Sequence, residues 1–440
     1  MTKYDNSAAA QWDFATRSIH AGSSLDSDNN SRNQPIHLTT SYVFDSAEHA
    51  KQRFALEDLG PVYTRLTNPT VEALENRIAS LEGGVHAVAF ASGQAAETAA
   101  ILNVAGAGDH IVTSPHLYGG TETLFQVTLK RLGIEVTFVE NPDDPESWQA
   151  AVQPNTKAFY GETFGNPAAD ILDIPAVAEV AHRNHVPLIV DNTIATAALV
   201  RPLELGADVV VASLTKFYTG NGSALGGILV DGGSFDWTVE RDGQPVHEQF
   251  VTPDAAYHGL KYADLGPAAY GLKARVGLLR DTGASISPFN AWVTLQGLDT
   301  LPLRIERHNS NAVQVVEFLR NHPKVSKVNF AGAADSPYRA VKEELGLEYT
   351  GSVFTFELDA PGDDRENAWR FIDALQLHSN LANVGDVRSL VVHPASTTHS
   401  QSDEAGLARA QVTQKTIRLS VGIEAVTDII ADLERALDAV

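Results

Sequence analysis

The segment DVVVASLTKFYTGNGSALGGILVDGG, residues 208–233, decides how the chain folds. Its first part, DVVVASL, is apolar and β-branched, which is typical of a strand buried in a parallel sheet. A glycine-rich turn and a second short strand follow it. Lys216 stands where the first strand ends, and a buried lysine is unfavourable unless its charge is paired or its pKa is lowered. The plain explanation is a strand-end lysine whose amine reaches solvent, so other residues must decide its role.

Upstream of this segment, apolar strand-like runs alternate with amphipathic helix-like runs. The helix-like runs are 70–84, 93–109, 120–133 and 174–185, and the strand-like runs are 86–92, 111–114, 136–140, 157–163 and 187–193. Alternation at this spacing predicts an α/β domain with a mostly parallel sheet and helices on both faces.

The segments before and after this alternation have a different character. Residues 1–62 are polar and interrupted by Asn, Ser and Pro, with one helix-like patch near 46–57. Residues 231–290 are irregular and aromatic, which favours loops and short helices. A long helix at 301–322 is followed by strand-like runs at 325–330, 351–358, 380–385 and 416–422 and by a final helix at 426–440. We therefore predict an N-terminal arm (1–62), a large α/β domain (63–290) and a smaller C-terminal α+β domain (291–440).

Composition excludes several classes of function. The 440 residues carry a formal net charge of −23, which argues against binding to nucleic acid or to anionic membranes. The sequence contains no cysteine, so disulfides, thiolate metal sites and a cysteine nucleophile are excluded, and a cytoplasmic location is favoured. The amino-terminal residues lack the apolar core of a signal peptide, and no apolar run is long enough to span a membrane.

Several common catalytic motifs are absent from the sequence. Lys216 is not in a P-loop, because the spacing of glycines and the following Ser or Thr are wrong. No G-x-S-x-G elbow and no H-E-x-x-H metal motif occurs. The stretch HPASTTH (393–399) has two histidines on a segment unsuited to one helical face, so loop residues are the main interpretation and metal ligation a minor one. We predict no metal site.

The residues around Lys216 fit a site for pyridoxal 5′-phosphate (PLP) bound as a Schiff base. Asp191 ends the strand PLIVDNT, where its carboxylate could hold the pyridine nitrogen protonated. Tyr118, at another strand-to-helix junction, could stack on the ring. The alternatives are a helix N-cap for Asp191 and an ordinary core tyrosine for Tyr118.

A phosphate group could be held at two places. Ser92, Gly93 and Gln94 lie where a strand turns into a helix, and free N–H groups at a helix N-terminus bind phosphate, although Ser92 is also an ordinary N-cap. Ser213 and Thr215 share one side of the strand before Lys216. Outside these segments, Tyr63 and Arg65 precede the first helix of the large domain, and the Arg could grip a phosphate or form a surface salt bridge.

Several motifs in order resemble the Cys/Met-metabolism family of PLP-dependent enzymes, which have fold type I. They are TRSIHAG (16–22), YTRLTNPT (63–70), ASGQAA (91–96), LYGGT (117–121), ETFGNP (162–167), IVDNT (189–193), SLTKFYTG (213–220), HPASTTH (393–399) and RLSVGIE (418–424). The resemblance thus covers almost the whole chain and implies a soluble PLP enzyme.

The resemblance implies a role for each matching residue. Lys216 matches the Schiff-base lysine, Asp191 the partner of the pyridine nitrogen and Tyr118 the stacking tyrosine. Phosphate contacts are implied for Ser92, Gly93, Gln94, Ser213 and Thr215, a contact with the phenolic oxygen for Asn166, and binding of the substrate carboxylate for Arg418 with Asn383 nearby. The family's equivalents of Tyr63 and Arg65 reach the neighbouring subunit's phosphate. Dimers with shared active sites, usually within tetramers, are therefore implied, and Tyr63 joins Tyr118 as a candidate for proton transfer and substrate contact.

Within the family, SGQAA (92–96), the stretch 380–401 and the insertion 231–290 resemble the O-acetylhomoserine sulfhydrylases. This implies γ-replacement of acetate by sulfide, giving L-homocysteine for methionine biosynthesis. Cystathionine γ-synthase and γ-lyase activities are the alternatives within the family, and the lack of cysteine disfavours methionine γ-lyase.

Asn221 departs from the Gly-His-Gly that many relatives carry. A non-catalytic carrier would be expected to lose Lys216 or Arg418, and both are present.

Overall fold

The structure is a computed structural model of the 440-residue chain that describes residues 11–23, 29–55, 57–58, 60–400, 402 and 404–440. Residues 1–10 and 24–28 of the predicted N-terminal arm therefore lie outside the described residues. The patch expected to be helical near 46–57 is a helix, Ala47–Phe54, which begins after the N-cap Ser46. Among the described residues, none of the helices combines the length and the apolar character that crossing a bilayer requires.

The chain forms fourteen strands in the described residues. They are β1 His86–Phe90, β2 His110–Thr113, β3 Glu135–Phe138, β4 Thr156–Glu162, β5 Leu188–Asp191, β6 Val209–Ser213, β7 Gly227–Asp231, β8 Glu240–Arg241, β9 Gln244–Pro245, β10 Val325–Asn329, β11 Val353–Leu358, β12 Ser379–Asn380, β13 Leu390–Val392 and β14 Thr416–Ser420.

The α-helices of the described residues are α1 Phe14–His20, α2 Ala47–Phe54, α3 Pro69–Glu82, α4 Gly93–Leu102, α5 Gly119–Thr123, α6 Pro145–Ala150, α7 Ile174–Arg183, α8 Thr196–Leu199, α9 Glu248–Val251, α10 Ala269–Lys273, α11 Arg280–Thr282, α12 Pro288–Leu298, α13 Leu301–Arg320, α14 Arg339–Glu344, α15 Asp364–Ala374, α16 Glu404–Arg409 and α17 Val426–Asp438.

The large sheet has the order β1-β7-β6-β5-β4-β2-β3. All of its pairings are parallel except those of β7, which runs antiparallel to both β1 and β6. Alternate residues of the central strands pack into two hydrophobic cores, one on each face of the sheet. Leu188 and Val190 pack into one core, and Ile189 packs into the other. Helices therefore cover both faces, and the expected α/β fold of mostly parallel strands is confirmed.

The smaller sheet has the order β10-β11-β14-β13-β12 and packs with the long helix α13 and with α15 and α17. It is antiparallel except for the pairing of β12 with β13. The strand predicted at 380–385 is wrong for most of its length, since only Asn380 belongs to a strand, and β13 was missed. The reason is that Asn383 uses its polar groups on Lys216 and Arg418 instead of on a neighbouring strand. The boundaries drawn at 62/63 and 290/291 stay predictions.

Candidate active site

A cavity of about 230 Å³ opens at the carboxyl ends of β4, β5 and β6. These strands are neighbours in the sheet, so Glu162, Asp191 and Ser213 come together at one edge, where ligands bind in sheets of this kind. The cavity collects every predicted site residue except Tyr63 and Arg65, namely Ser92, Gly93, Gln94, Tyr118, Asn166, Asp191, Ser213, Thr215, Lys216, Asn383 and Arg418. A larger cavity of about 470 Å³ lies along β10 and contains none of these residues.

Lys216 lies in the turn after β6 and points into this cavity. Its Nζ atom donates to Asn383 Oδ1 at 2.5 Å. Burial, and then the positive charge of Arg418, lower the pKa of Lys216 to about 8. The solvent-reaching lysine that the sequence left open is therefore not what the structure contains. An amine of lowered pKa is a better nucleophile and base at neutral pH.

The turn that carries Lys216 is held by a buried arginine that sequence reasoning did not single out. Arg304, on α13, donates from Nη1 to the carbonyl oxygen of Phe217 at 2.7 Å and from Nη2 to that of Tyr218 at 3.2 Å. A third bond, 2.8 Å, joins Nη2 to the carbonyl oxygen of Gly297. Three backbone oxygens thus accept from one rigid fork, which fixes the turn relative to the long helix.

Asp191 ends β5 and accepts a hydrogen bond from the backbone N–H of Thr193 at 2.7 Å. The following helix begins at Thr196, so Asp191 is not its N-cap, and that alternative is wrong. Burial raises the pKa of Asp191 to about 6. Among the described residues Asp191 forms no ion pair. A buried carboxylate without a protein cation fits a cationic pyridine nitrogen.

The expected phosphate cradle lies at the start of α4. Ser92 is the N-cap, and its side chain accepts from the backbone N–H of Ala95 at 3.1 Å. A Cβ atom at Gly93 would lie 2.7 Å from Ser213 Cβ, so only glycine lets helix and strand approach this closely. Thr215 Oγ1 accepts from the backbone N–H of Gly226 at 3.1 Å, which holds its hydroxyl at the same edge. The free N–H groups of the helix start can receive a phosphate.

Tyr118 is 46% exposed, so it is not an ordinary core tyrosine. Its backbone N–H donates to Glu162 Oε1 at 2.6 Å, which fixes the residue at the start of α5 with its ring at the cavity. An exposed aromatic face held by its own backbone can stack on a flat ring such as that of PLP.

Arg418 lies on β14 at the other side of the cavity and is 4% exposed. It donates from Nη1 to Asn166 Oδ1 at 3.1 Å and from Nη2 to the carbonyl oxygen of Asn383 at 3.2 Å. Burial lowers its pKa to about 10. Both protein partners are neutral, so the guanidinium retains its charge and spare donors for an anion.

Tyr63 and Arg65 lie away from the cavity. Tyr63 is 43% exposed, and the Arg65 guanidinium packs over its ring at 5.4 Å from the centroid. The surface salt bridge that the sequence allowed for Arg65 is not found among the described residues. Within one chain, the structure does not bring these two residues to the site.

Five further polar residues of the cavity were missed from the sequence: Glu97, Thr121, Glu162, Thr193 and Thr398. Glu97 lies three residues after Gln94 on α4, so helical spacing could have placed it on the same face. Glu162 ends β4 just as Asp191 ends β5, so the argument from strand ends that identified Asp191 could also have identified Glu162. Thr398 belongs to the histidine-containing loop 393–399, and no group of His, Asp and Glu suited to a metal ion occurs among the residues described. Asn221 lies exposed in the glycine turn and accepts from Ser223 Oγ.

A buried polar network lies behind the site. Glu82, at the end of α3, accepts from the Tyr218 hydroxyl and from Asn192 Nδ2, the latter at 3.2 Å. Thr163 Oγ1 donates to Asn192 Oδ1 at 2.9 Å. Burial raises the pKa of Glu82 to about 7. These bonds join the ends of β4 and β5 to the turn that carries Lys216.

Comparison with known proteins gives a consistent result. The family model described as Cys/Met metabolism PLP-dependent enzyme matches residues 15–438. The O-acetyl-L-homoserine sulfhydrylase of Corynebacterium glutamicum is 78% identical over the full length of both chains. O-acetyl-L-homoserine sulfhydrylase 1 of Thermus thermophilus is 46% identical over 96% of this chain and 99% of its own.

Solved structures agree with the sequence comparison. An O-acetylhomoserine (thiol)-lyase of Campylobacter jejuni, solved with a pyridoxyl-lysine monophosphate, has a TM-score of 0.92 at 39% identity, covering 97% of this chain and 100% of that one. A cystathionine gamma-lyase of Lactobacillus plantarum has a TM-score of 0.83 at 30% identity, covering 97% and 99%. PLP is therefore the cofactor, the fold is type I, and the chain belongs to the Cys/Met metabolism family of PLP-dependent enzymes.

Proposed function

We propose that this enzyme converts O-acetyl-L-homoserine and sulfide to L-homocysteine and acetate, a γ-replacement that serves methionine biosynthesis. The observation that carries the proposal is that Asn383 joins Lys216 to Arg418 within one cavity. Its side chain accepts from Lys216 Nζ at 2.5 Å, and its carbonyl oxygen accepts from Arg418 Nη2 at 3.2 Å. The amine expected to hold PLP and a carboxylate-binding group this close together suit an α-amino acid. The choice of O-acetyl-L-homoserine is supported by the 78% identical relative of that name.

The predicted site residues of the cavity have the following roles in this proposal. Arg418 binds the α-carboxylate of the substrate with the donors that Asn166 and Asn383 leave free. Asp191 keeps the pyridine nitrogen protonated, and the bound PLP then supplies the electron sink for charge that develops on the substrate carbons. With PLP and substrate bound, Lys216 would be the base that takes the proton from Cα, which its lowered pKa favours.

The remaining groups hold the cofactor and move protons. The N–H groups of Gly93 and Gln94 and the hydroxyls of Ser92, Ser213 and Thr215 receive the phosphate. Asn166 would hold the phenolic oxygen of PLP, and the Tyr118 ring would hold the pyridine ring and exclude water from that side of the cavity. Tyr118 also transfers protons at the amine, together with the partner subunit's Tyr63.

Product analysis of the PLP-loaded enzyme tests the reaction. O-acetyl-L-homoserine is supplied with sulfide or with cysteine at equal concentration, and O-succinyl-L-homoserine replaces it in a parallel series. Fast release of homocysteine with sulfide, slow reaction with cysteine and preference for the acetyl ester are expected. Lys216→Ala serves as the inactive control.

Two other outcomes would replace the proposal. Cystathionine formed faster than homocysteine would make the enzyme a cystathionine γ-synthase. Ketobutyrate and ammonia released without any thiol would make it a γ-lyase, an activity carried by the structurally similar Lactobacillus plantarum protein.

We also propose that the active enzyme is a homotetramer built of dimers whose sites are shared. Support comes from the arm and from Tyr63, which directly follows it and is exposed and outside the cavity of its own chain. Large apolar side chains of the same segment are also exposed: Leu38 to 73%, Val43 to 96% and Phe54 to 68%. Apolar exposure on this scale is typical of a surface that another subunit covers.

Mixing two inactive variants tests the shared site. Lys216→Ala and Tyr63→Ala chains are unfolded together and refolded, so that about half of the dimers are mixed and each mixed dimer has one intact site. About a quarter of the wild-type activity is expected to return. If Tyr63 acts within its own chain, the mixture stays as inactive as its components.

A cytoplasmic location belongs to the same proposal. It is supported by the absence of cysteine from the sequence and by the reaction, which serves amino-acid synthesis. Fractionation of cells followed by assay of homocysteine formation tests it, and activity confined to a membrane or secreted fraction would contradict it.

A further inference from the structure

The cavity contains an acidic residue to which the proposed reaction gives no role. Glu97 lies on α4, is 2% exposed and lines the cavity beside Asp191 and Glu162. Among the described residues these three carboxyl groups form no ion pair within 4 Å. Three charges in so small a space would repel one another strongly, so most of these groups must keep their protons.

The two carboxyl oxygens of Glu97 differ in their hydrogen bonds. Its Oε2 atom accepts from Gln94 Nε2 at 2.9 Å and from Thr121 Oγ1 at 3.0 Å. Its Oε1 atom has no hydrogen-bond partner among the residues described and no contact with solvent. In Glu162, by contrast, Oε1 accepts from the backbone N–H of Tyr118 at 2.6 Å. A buried carboxyl oxygen without a donor is most stable as an O–H group.

The titratable groups near Glu97 agree with a proton at this position. Tyr160 and Glu162 approach from β4 and Asp191 from β5, and Lys216 and Arg418 line the same cavity. Burial, and then the charge of Asp191, raise the pKa of Glu97 well above its usual range. Glu162 is raised in the same way, whereas the pKa of Asp191 rises only to about 6. Of the three, Asp191 therefore releases its proton most readily.

We propose that Glu97 is a positioning residue that keeps a proton on Oε1 and directs it toward the ionised Asp191, so that Asp191 stays the single negative charge beside the pyridine nitrogen of PLP. This inference rests on the proposed role of Asp191 and is independent of the acyl donor and of the sulfur nucleophile. A hydrogen bond to the ionised form of Asp191 makes that form more stable, and a stable carboxylate keeps the pyridine nitrogen protonated.

Infrared difference spectra of PLP-loaded wild type and Glu97→Gln at pH 7 test whether the proton is present. The C=O stretch of a protonated carboxylic acid is expected in the wild type and absent from the variant. The exposed Glu179 on α7 supplies the matched control, and Glu179→Gln is expected to remove only carboxylate bands. Loss of a carboxylate band in Glu97→Gln would overturn the proposal.

Nitrogen-15 NMR of enzyme loaded with labelled PLP tests the effect on the cofactor. Glu97→Met, which keeps the length of the side chain and has no proton to share, is expected to lose the pyridine proton about one pH unit or more below the wild type. Glu97→Gln, which keeps a donor, is expected to follow the wild type. An unchanged titration in Glu97→Met would overturn the proposal. An unprotonated nitrogen in the wild type at pH 7 would instead refute the role given to Asp191.

Discussion

Replacing Arg418 by Lys tests the substrate side of the cavity directly. The guanidinium already gives two N–H groups to Asn166 and Asn383, at 3.1 and 3.2 Å, and retains others for the substrate carboxylate. A lysine has three donors at one point and cannot reproduce the planar fork. We expect the loss of about one charge-assisted hydrogen bond, roughly 1.5–3 kcal/mol. This corresponds to a fall of about 10- to 150-fold in kcat/KM.

Steady-state kinetics with O-acetyl-L-homoserine as the varied substrate measures this loss. Most of it should appear as a higher KM, because Arg418 holds a part of the substrate that does not react. PLP content and the absorbance of the bound cofactor should stay at wild-type values, since Arg418 holds the substrate and not the phosphate.

The matched control is Arg339→Lys, since Arg339 is exposed on α14 and pairs with the exposed Glu343 at 2.7 Å. We expect its kcat/KM to stay within about twofold of the wild type. A kcat/KM for Arg418→Lys equally close to the wild type would refute the assignment of the carboxylate site. Loss of PLP from Arg418→Lys would show that the residue supports the cofactor instead.

Three further predictions concern the cofactor and the fold. Lys216→Ala should lower turnover by about a thousandfold or more, and mass spectrometry after borohydride reduction should find the pyridoxyl group on the wild type alone. Gly93→Ala should weaken PLP binding by about tenfold or more in equilibrium dialysis, because its Cβ would lie 2.7 Å from Ser213 Cβ, whereas Gly277→Ala meets no atom within 4 Å and should bind PLP normally. Glu82 has a pKa raised from its usual 4.5 to about 7 in the folded state, so the folded chain binds this proton more tightly than the unfolded chain does. Stability in urea should therefore fall as the pH rises from 4.5 through 7, and Glu82→Gln should lack this part of the decline.

The sequence predicted best those cavity residues that follow a strand or begin a helix, although it missed Glu162 at the end of β4. It placed Lys216, Asp191 and Gly93 together because parallel strands bring their carboxyl ends to one edge of the sheet and because glycine marks a close approach. Glu97 was overlooked because only the first turn of its helix was considered as a site. The contacts of Arg304 and Glu82 join residues far apart in the sequence, and no local pattern predicts such pairs.

The strand predicted at 380–385 failed for a related reason. The segment contains two Asn and one Gly, which are depleted in strands. The Asn383 side chain and carbonyl oxygen bind Lys216 and Arg418 across the cavity instead of a neighbouring strand. Tyr63 and Arg65 remain predictions for a different reason, since their proposed contacts lie on a second chain.

The order of the site residues along the chain has a consequence for biosynthesis. The residues of this chain's own cavity that are expected to hold PLP, from Ser92 to Lys216, lie at or after the ends of strands of the seven-stranded sheet, whose last strand in the sequence ends at Asp231. Arg418 follows Lys216 by about 200 residues, which a ribosome adds in roughly 10–40 seconds. The nascent chain can therefore complete the sheet that receives the cofactor well before the strand that receives the substrate exists. PLP can thus bind the emerging domain before the amino-acid site is complete.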